Sequence, residues 1–250
     1  MRIIWMITAI VFPFFFAGLY AQEMDPEKQR GMINEQIEEL CDLCDSVYGK
    51  DIRLVKGRVY FPPNMRADGH PFFETLDWMS GSVTVNGETF TGIKLNYDIY
   101  QDHLVFLDES RDGSMIRLLL SKDHSTAFTL EEHKFILLDP STGINIPEKQ
   151  YLEVLFSGKI GLVQRLVKQY EDMPTEEYPY GRFTNAKVTR YILKDGKLHR
   201  FTNRFSLFKV LVDRKSEIKK YLKKSRISNV RKATDQKMAG LIEYYNSIIP

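Results

Sequence analysis

The amino-acid sequence predicts a mainly β (α+β) protein: an antiparallel meander forming a curved sheet, sandwich or open barrel, with an N-terminal helix and C-terminal helices. Three observations carry that prediction. Between residues 52 and 202, apolar and polar side chains alternate with the period of two that marks strands buried on one face. The runs are separated by short breaks, among them Asn86-Gly87 and Asp195-Gly196, which are favoured in two-residue hairpins. Before residue 50 and after residue 204 the period becomes helical.

Residues 1–21 read as a secretory signal. Arg2 supplies a positive start, residues 3–19 are almost wholly apolar, and Ala21-Gln22 offers a cleavage point. Pro13 interrupts a run already short for the ~20 residues of a spanning helix. The chain is therefore expected to be exported through the inner membrane, to the periplasm or beyond, and residues 22–250 to form a single domain. The residue directly after the cut is Gln22, not a cysteine, so no lipid anchor is expected there. A helix over 25–49 comes next, with Asp25 as N-cap, Pro26 in the first turn, and Ile33, Ile37, Leu40, Cys44 and Val47 on one stripe. The two cysteines, Cys41 and Cys44, sit in its second half, where the helix dipole disfavours a thiolate. Cys44 thus reads as a small core residue with Cys41 at its margin, ahead of a local disulfide or redox chemistry.

The β pattern opens with IRLVKGRVYF at 52–61 and is clearest over 81–107. There Val83 and Val85 alternate with polar neighbours, Asn86-Gly87 turns the chain, and Ile93, Leu95, Tyr97 and Ile99 alternate again before a turn at Gln101-Asp102. Further strands are expected in 115–121, 127–139, 151–170 (turning at Ser157-Gly158) and 188–202, roughly nine or ten in all. Short connections of this kind favour antiparallel pairing over βαβ crossovers. The segment 171–186 reads as a loop or flap. Three helical pieces follow, at 206–213, 216–225 and 235–249, the last with Met238, Leu241, Ile242, Tyr245 and Ile249 on one face.

No GxSxG elbow, HExxH helix, phosphate loop or EF-hand loop is present, and the five histidines show no local ligand spacing. No metal or cofactor is called for. Two polar groupings stand out. Asp98, Asp102 and His103, in YDIYQDH, place acids beside an imidazole at a hairpin, where Asp102 also suits an ordinary turn. In DGHPFFETLDW, Asp68, His70 and Glu74 accompany Phe72, Phe73 and Trp78, which suit either a ligand pocket or a loop pinned to the sheet. The net charge is +2, yet residues 209–237 hold eleven Lys or Arg against three acids. Lys219, Lys220, Lys223 and Lys224 then form either a solvated helix face or a contact for an anionic envelope surface. Export argues against nucleic acid as the partner.

Several segments together resemble a group of exported proteins of Bacteroidota. They are Ala21-Gln22, GHPFF at 69–73, Trp78, GSVTVNG at 81–87, GIKLNYDIYQDHLVF at 92–106, LFSGKIGLVQR at 155–165, YILKDGKL at 191–198 and Glu243-Tyr244-Tyr245-Asn246. The resemblance implies export and transfers no activity, cofactor or site residue. At the level of fold, the element order is similar to that of curved-sheet lipoprotein carriers of the periplasm.

The functional expectation is a non-catalytic envelope protein that binds a partner protein or surface. One alternative is a carrier holding a lipid or other apolar molecule between sheet and helices. The other is a hydrolase using dispersed acids and histidines.

Overall fold

The computed structural model describes residues 58–109 and 114–249. The secretory segment 1–21, the helix expected over 25–49 with Cys41 and Cys44, and the start of the first expected strand lie outside the described residues.

β1 (Met79–Val85) and β2 (Glu88–Asp98) meet at Asn86-Gly87, where φ is 50° and 83°, the paired positive values of a type I′ hairpin. The meander continues through β3 (His103–Glu109), β4 (Met115–Leu119), β5 (Ser125–Leu130), β6 (His133–Leu138), β7 (Gln150–Phe156) and β8 (Gly161–Val167). β9 (Tyr170–Glu171) and β10 (Arg182–Phe183) pair with each other in a small separate sheet. β11 (Lys187–Lys194) and β12 (Lys197–Arg200) close around Asp195-Gly196, again with both φ positive.

Two expectations are corrected in detail. The stretch 127–139 is not one strand but the β5–β6 hairpin, turning at Glu131, whose φ is 51°. The flap expected over 171–186 is tied at both ends, because Tyr170–Glu171 pairs with Arg182–Phe183 and Asp68 bonds to Gly181 and Phe183. With these changes the described residues hold twelve strands rather than nine or ten.

Ten strands form one antiparallel sheet in the order β12-β11-β8-β7-β6-β5-β1-β2-β3-β4, not closed into a barrel. The sheet is strongly rolled. Four strands separate β8 from β2, which would put them about 24 Å apart on a flat sheet. Nevertheless, the Lys168 amide just after β8 donates to the Ile99 carbonyl just after β2 at 3.3 Å.

The inner face of the roll is filled by its own side chains. Phe128 and Phe135 stack at 4.5 Å, and Tyr97 and Tyr151 meet them edge-on at 5.0–5.3 Å. Farther along the same face lie α1 (Arg204–Val210), α2 (Lys215–Lys224) and α3 (Asp235–Ile248). Asn203 and Ser206 close a capping box on α1, and Thr234 caps α3. Met238, Leu241, Ile242 and Tyr245 of α3 are buried in one cluster with Leu162 and Ile192 of the sheet. Asn246 fixes the register, its amide accepting from the Ile160 N–H (2.9 Å) and donating to the Ile160 carbonyl (3.0 Å). No described helix is long and apolar enough to cross a membrane.

The outer face is covered differently. Residues 58–78 run over β2, β3 and β4, and Tyr60, Phe72 and Val105 form a small buried cluster there with Trp78 and Leu119 against it.

A candidate binding cleft around Trp78

Alternation along β2 sends Asn96 and Asp98 to the outer face, and both are buried. A buried polar side chain is costly unless bonded, and each of these holds part of the covering segment. The Asn96 amide donates to the Asp77 carbonyl at 3.2 Å, with longer contacts of 3.4 Å to those of Thr75 and Leu76. That anchors the turn carrying Leu76 and Trp78. Asp98 accepts from the Tyr100 and Gln101 amides at 2.8 and 2.9 Å and from the Tyr60 hydroxyl at 2.7 Å. Tyr60 is held further by its amide, which donates to the Arg117 carbonyl of β4, and by its ring, tilted against Phe72 at 5.9 Å.

The Lys168 ammonium closes the other side. It donates to the His70 and Phe72 carbonyls at 3.0 and 2.8 Å and approaches His70 Nδ1 at 3.3 Å. An ammonium has no acceptor capacity, so His70 Nδ1 carries the lone pair. Burial, and then the Lys168 charge, hold the His70 imidazole below its ordinary pKa. Burial likewise lowers Lys168, with the Asp98 charge opposing.

These anchors leave two adjoining clefts. The inner, about 270 Å³, is lined by His70, Phe72, Leu76, Trp78, Asn96 and Arg117 among others. The outer, about 780 Å³, runs between Val59, Phe61, Met65, Leu107, Met115 and Ile116. Pro62, Met65, Trp78 and Arg117 belong to both walls. Apolar groups around the mouth stand in solvent, with Phe61 78% and Met65 80% exposed. A contiguous exposed apolar surface of this kind marks an interaction site more often than bare chance allows.

Of the residues expected around a ligand pocket, His70, Phe72 and Trp78 line this cleft. Asp98 stands behind its floor through Tyr60. Phe73 is one residue from Phe72 but on the inner face, edge-on to His133 and Phe135 at 4.9 and 5.4 Å. Asp102 takes positive φ in the turn and accepts from Tyr97 and Lys122, away from Asp98. His103 faces Asp98 across the β2–β3 ladder, but its buried Nδ1 has no hydrogen-bond partner among the described residues. The expected grouping of Asp98, Asp102 and His103 is therefore divided. Burial raises the Asp98 carboxyl despite three hydrogen bonds that lower it, and burial lowers His103 more than Asp98 restores it. Lys219, Lys220, Lys223 and Lys224 are all exposed on α2, whose buried residues are Ile218 and Leu222.

A second polar system escaped the sequence reading. Glu153 Oε1 meets His133 Nδ1 at 2.6 Å, and Glu74 lies 3.6 Å from the other ring nitrogen. Gln164 donates to Glu153 (2.8 Å) and to Asp235 (3.1 Å), and Arg190 donates to Gln164 and to Asp235. Phe135, Glu153, Gln164 and Arg190 are successive cross-strand neighbours on β6, β7, β8 and β11, so the chain of bonds crosses the sheet to the first turn of α3. The available signal was polar residues at inward positions, Glu153 in phase with Tyr151 and Gln164 in phase with Leu162. Burial lowers His133, but the hydrogen bond and charge of Glu153, with Glu74 and Glu132, raise it further, for a net upward shift.

The imidazole partners are thus carboxylates at His133, an ammonium at His70 and the Asn86 amide at His124. None of these is the hydroxyl or thiol that nucleophilic catalysis pairs with a base. Among the described residues no three His, Cys, Asp or Glu gather as metal ligands. Protein-family models, curated proteins and solved structures were all compared with the chain, and none matches it.

Proposed function

We propose that the protein is exported to the cell envelope and acts there as a non-catalytic binding protein, with the apolar cleft around Trp78 as its contact surface. The observation that carries this reading is the cleft itself: exposed Val59, Phe61, Met65, Leu76 and Met115 around Trp78, held in place by the buried Asn96 and Asp98. The signal-like residues 1–21 support export. The lysine face of α2 offers a contact for anionic envelope surfaces.

The test is localisation and retention in the source cell. A chain beginning at Gln22 is expected in the envelope fraction, and a Phe61→Asp, Met65→Asp double variant is expected to wash free while melting at the wild-type temperature. Equal retention of that variant would remove the cleft from the reading, and a cytoplasmic chain still carrying Met1 would remove export.

A further inference from the structure

Resting on the reading that the Trp78 cleft is the binding surface, we propose that its ligand is an amphiphilic anion, with an alkyl tail in the outer trough and its anionic head on Arg117.

The lining chemistry argues for both halves of such a molecule. Among the described residues the polar side-chain groups of the outer cleft are the Tyr60 hydroxyl, the Arg117 guanidinium and the Trp78 indole N–H, which only donates. The hydroxyl is already committed to Asp98 at 2.7 Å. A peptide laid in this trough would find few partners for its amides, and each one left buried and unbonded weakens binding. An alkyl chain has no such requirement. The walls also combine Met65 and Met115 with Trp78 and Phe61, a pairing of pliable thioethers and flat rings that adapts to a flexible tail. The trough, at about 780 Å³, lies within the usual range of small-molecule sites, roughly 300–1,000 Å³.

The head group follows from charge. Among the described residues, Arg117 is the single formally charged one lining either cleft, and it lines both. It is exposed and makes no ion pair among the described residues. Among the described residues no carboxylate lines either wall, and the buried Asp98 behind Tyr60 is turned into its own hairpin by two amides and the Tyr60 hydroxyl. A guanidinium without a carboxylate partner among the described residues, beside an apolar trough, matches a carboxylate or phosphate oxygen pair. It would repel a cationic head. The site differs from the space between sheet and helices, which the protein fills itself.

Residues 22–250 contain one tryptophan, Trp78, since the other is Trp5, so its emission reports the cleft directly. Dodecanoate, titrated below its micellar concentration, is expected to give a saturable blue shift. Dodecyltrimethylammonium should bind at least roughly tenfold more weakly, the scale of one charge-assisted hydrogen bond. Arg117→Gln should erase that preference, Arg117→Lys should keep part of it, and Met65→Asp should abolish binding of both amphiphiles. Lysophosphatidylglycerol run beside dodecanoate separates a phospholipid head from a free carboxylate as the source. Equal affinity for anion and cation, or an Arg117→Gln variant that binds dodecanoate as wild type does, would overturn the proposal. If no amphiphile binds yet the Phe61→Asp, Met65→Asp variant still loses envelope retention, the ligand class is wrong and the cleft reading stands. If retention is unchanged as well, both fall.

Discussion

Two acid and imidazole pairs stand on this sheet, and they differ in every respect that matters for chemistry. Asp98 and His103 face each other across the β2–β3 hairpin, close in sequence as well as in space. Glu153 and His133 come from β7 and β6, separated by 20 residues. In the first pair the turn claims the acid: two backbone amides and Tyr60 occupy Asp98, and the imidazole keeps a buried nitrogen with no hydrogen-bond partner among the described residues. In the second pair no turn competes, and Glu153 is free to bond His133 on one oxygen and Gln164 on the other. Closeness in sequence brought the groups within reach of each other's charge but joined them by no hydrogen bond among the described residues. Strand register produced the coupled pair.

That contrast is open to direct attack. The largest effect is expected from His133→Leu, which leaves Glu153 buried beside an apolar group and should cost about 3 kcal/mol, at the lower end for a broken buried pair because His133 is partly exposed. Its pH dependence has a definite sign. The folded pKa of His133 is raised, so its stabilisation is fully present below the unfolded value of about 6.5 and fades as pH rises through the folded one. Urea unfolding of the variant should therefore show a greater loss at pH 6 than at pH 9, and a loss independent of pH would break the pairing argument.

Asp98→Ala should come next, at roughly 2–3 kcal/mol for the lost acceptor of three donors. Asp98→Asn can still accept from the two amides and should recover most of that stability. Were the Asn variant as damaged as the Ala variant, the charge of Asp98 would matter more than its place in the turn. Lys168→Met should destabilise by about 1–2 kcal/mol through the loss of its two carbonyl contacts. With the neighbouring charge gone, the His70 resonance followed by NMR should titrate at higher pH than in the wild type.

The smallest change, and the sharpest contrast with His133, is expected at His103. Removing an imidazole whose buried Nδ1 has no partner should alter stability by less than about 1 kcal/mol, or raise it. Because the folded pKa of His103 is lowered, its protonation opposes folding as pH falls below about 6.5. His103→Leu should thus gain on the wild type at pH 5 relative to pH 8. A loss comparable to that of His133→Leu would show that His103 has a structural partner after all.

Part of the cleft was legible in advance. His70, Phe72 and Trp78 stand close in one aromatic segment, and they share a wall. Phe73 shows the limit of that reading, since neighbouring residues in an extended backbone point to opposite faces and one aromatic of the pair had to leave the site. Tyr60, Met65 and Arg117 carried no signal of their own, because the first two stand apart from the aromatic run in the covering segment and Arg117 reaches the cleft from β4. Glu153 and Gln164 did carry a weak one, as polar residues in apolar phase.

What the sequence determined by itself is what a few consecutive residues encode. Alternation built the strands, two positive-φ dipeptides built the tight hairpins, and apolar stripes with their caps built α1 to α3. Only the tertiary structure decided that β1 lies between β2 and β5, that the sheet rolls until Lys168 meets Ile99, and that residues 58–78 cover one outer edge. The reason is physical: a strand's period is set by its own backbone, whereas its neighbours are chosen by which distant apolar faces bury together at the least cost in unbonded polar groups.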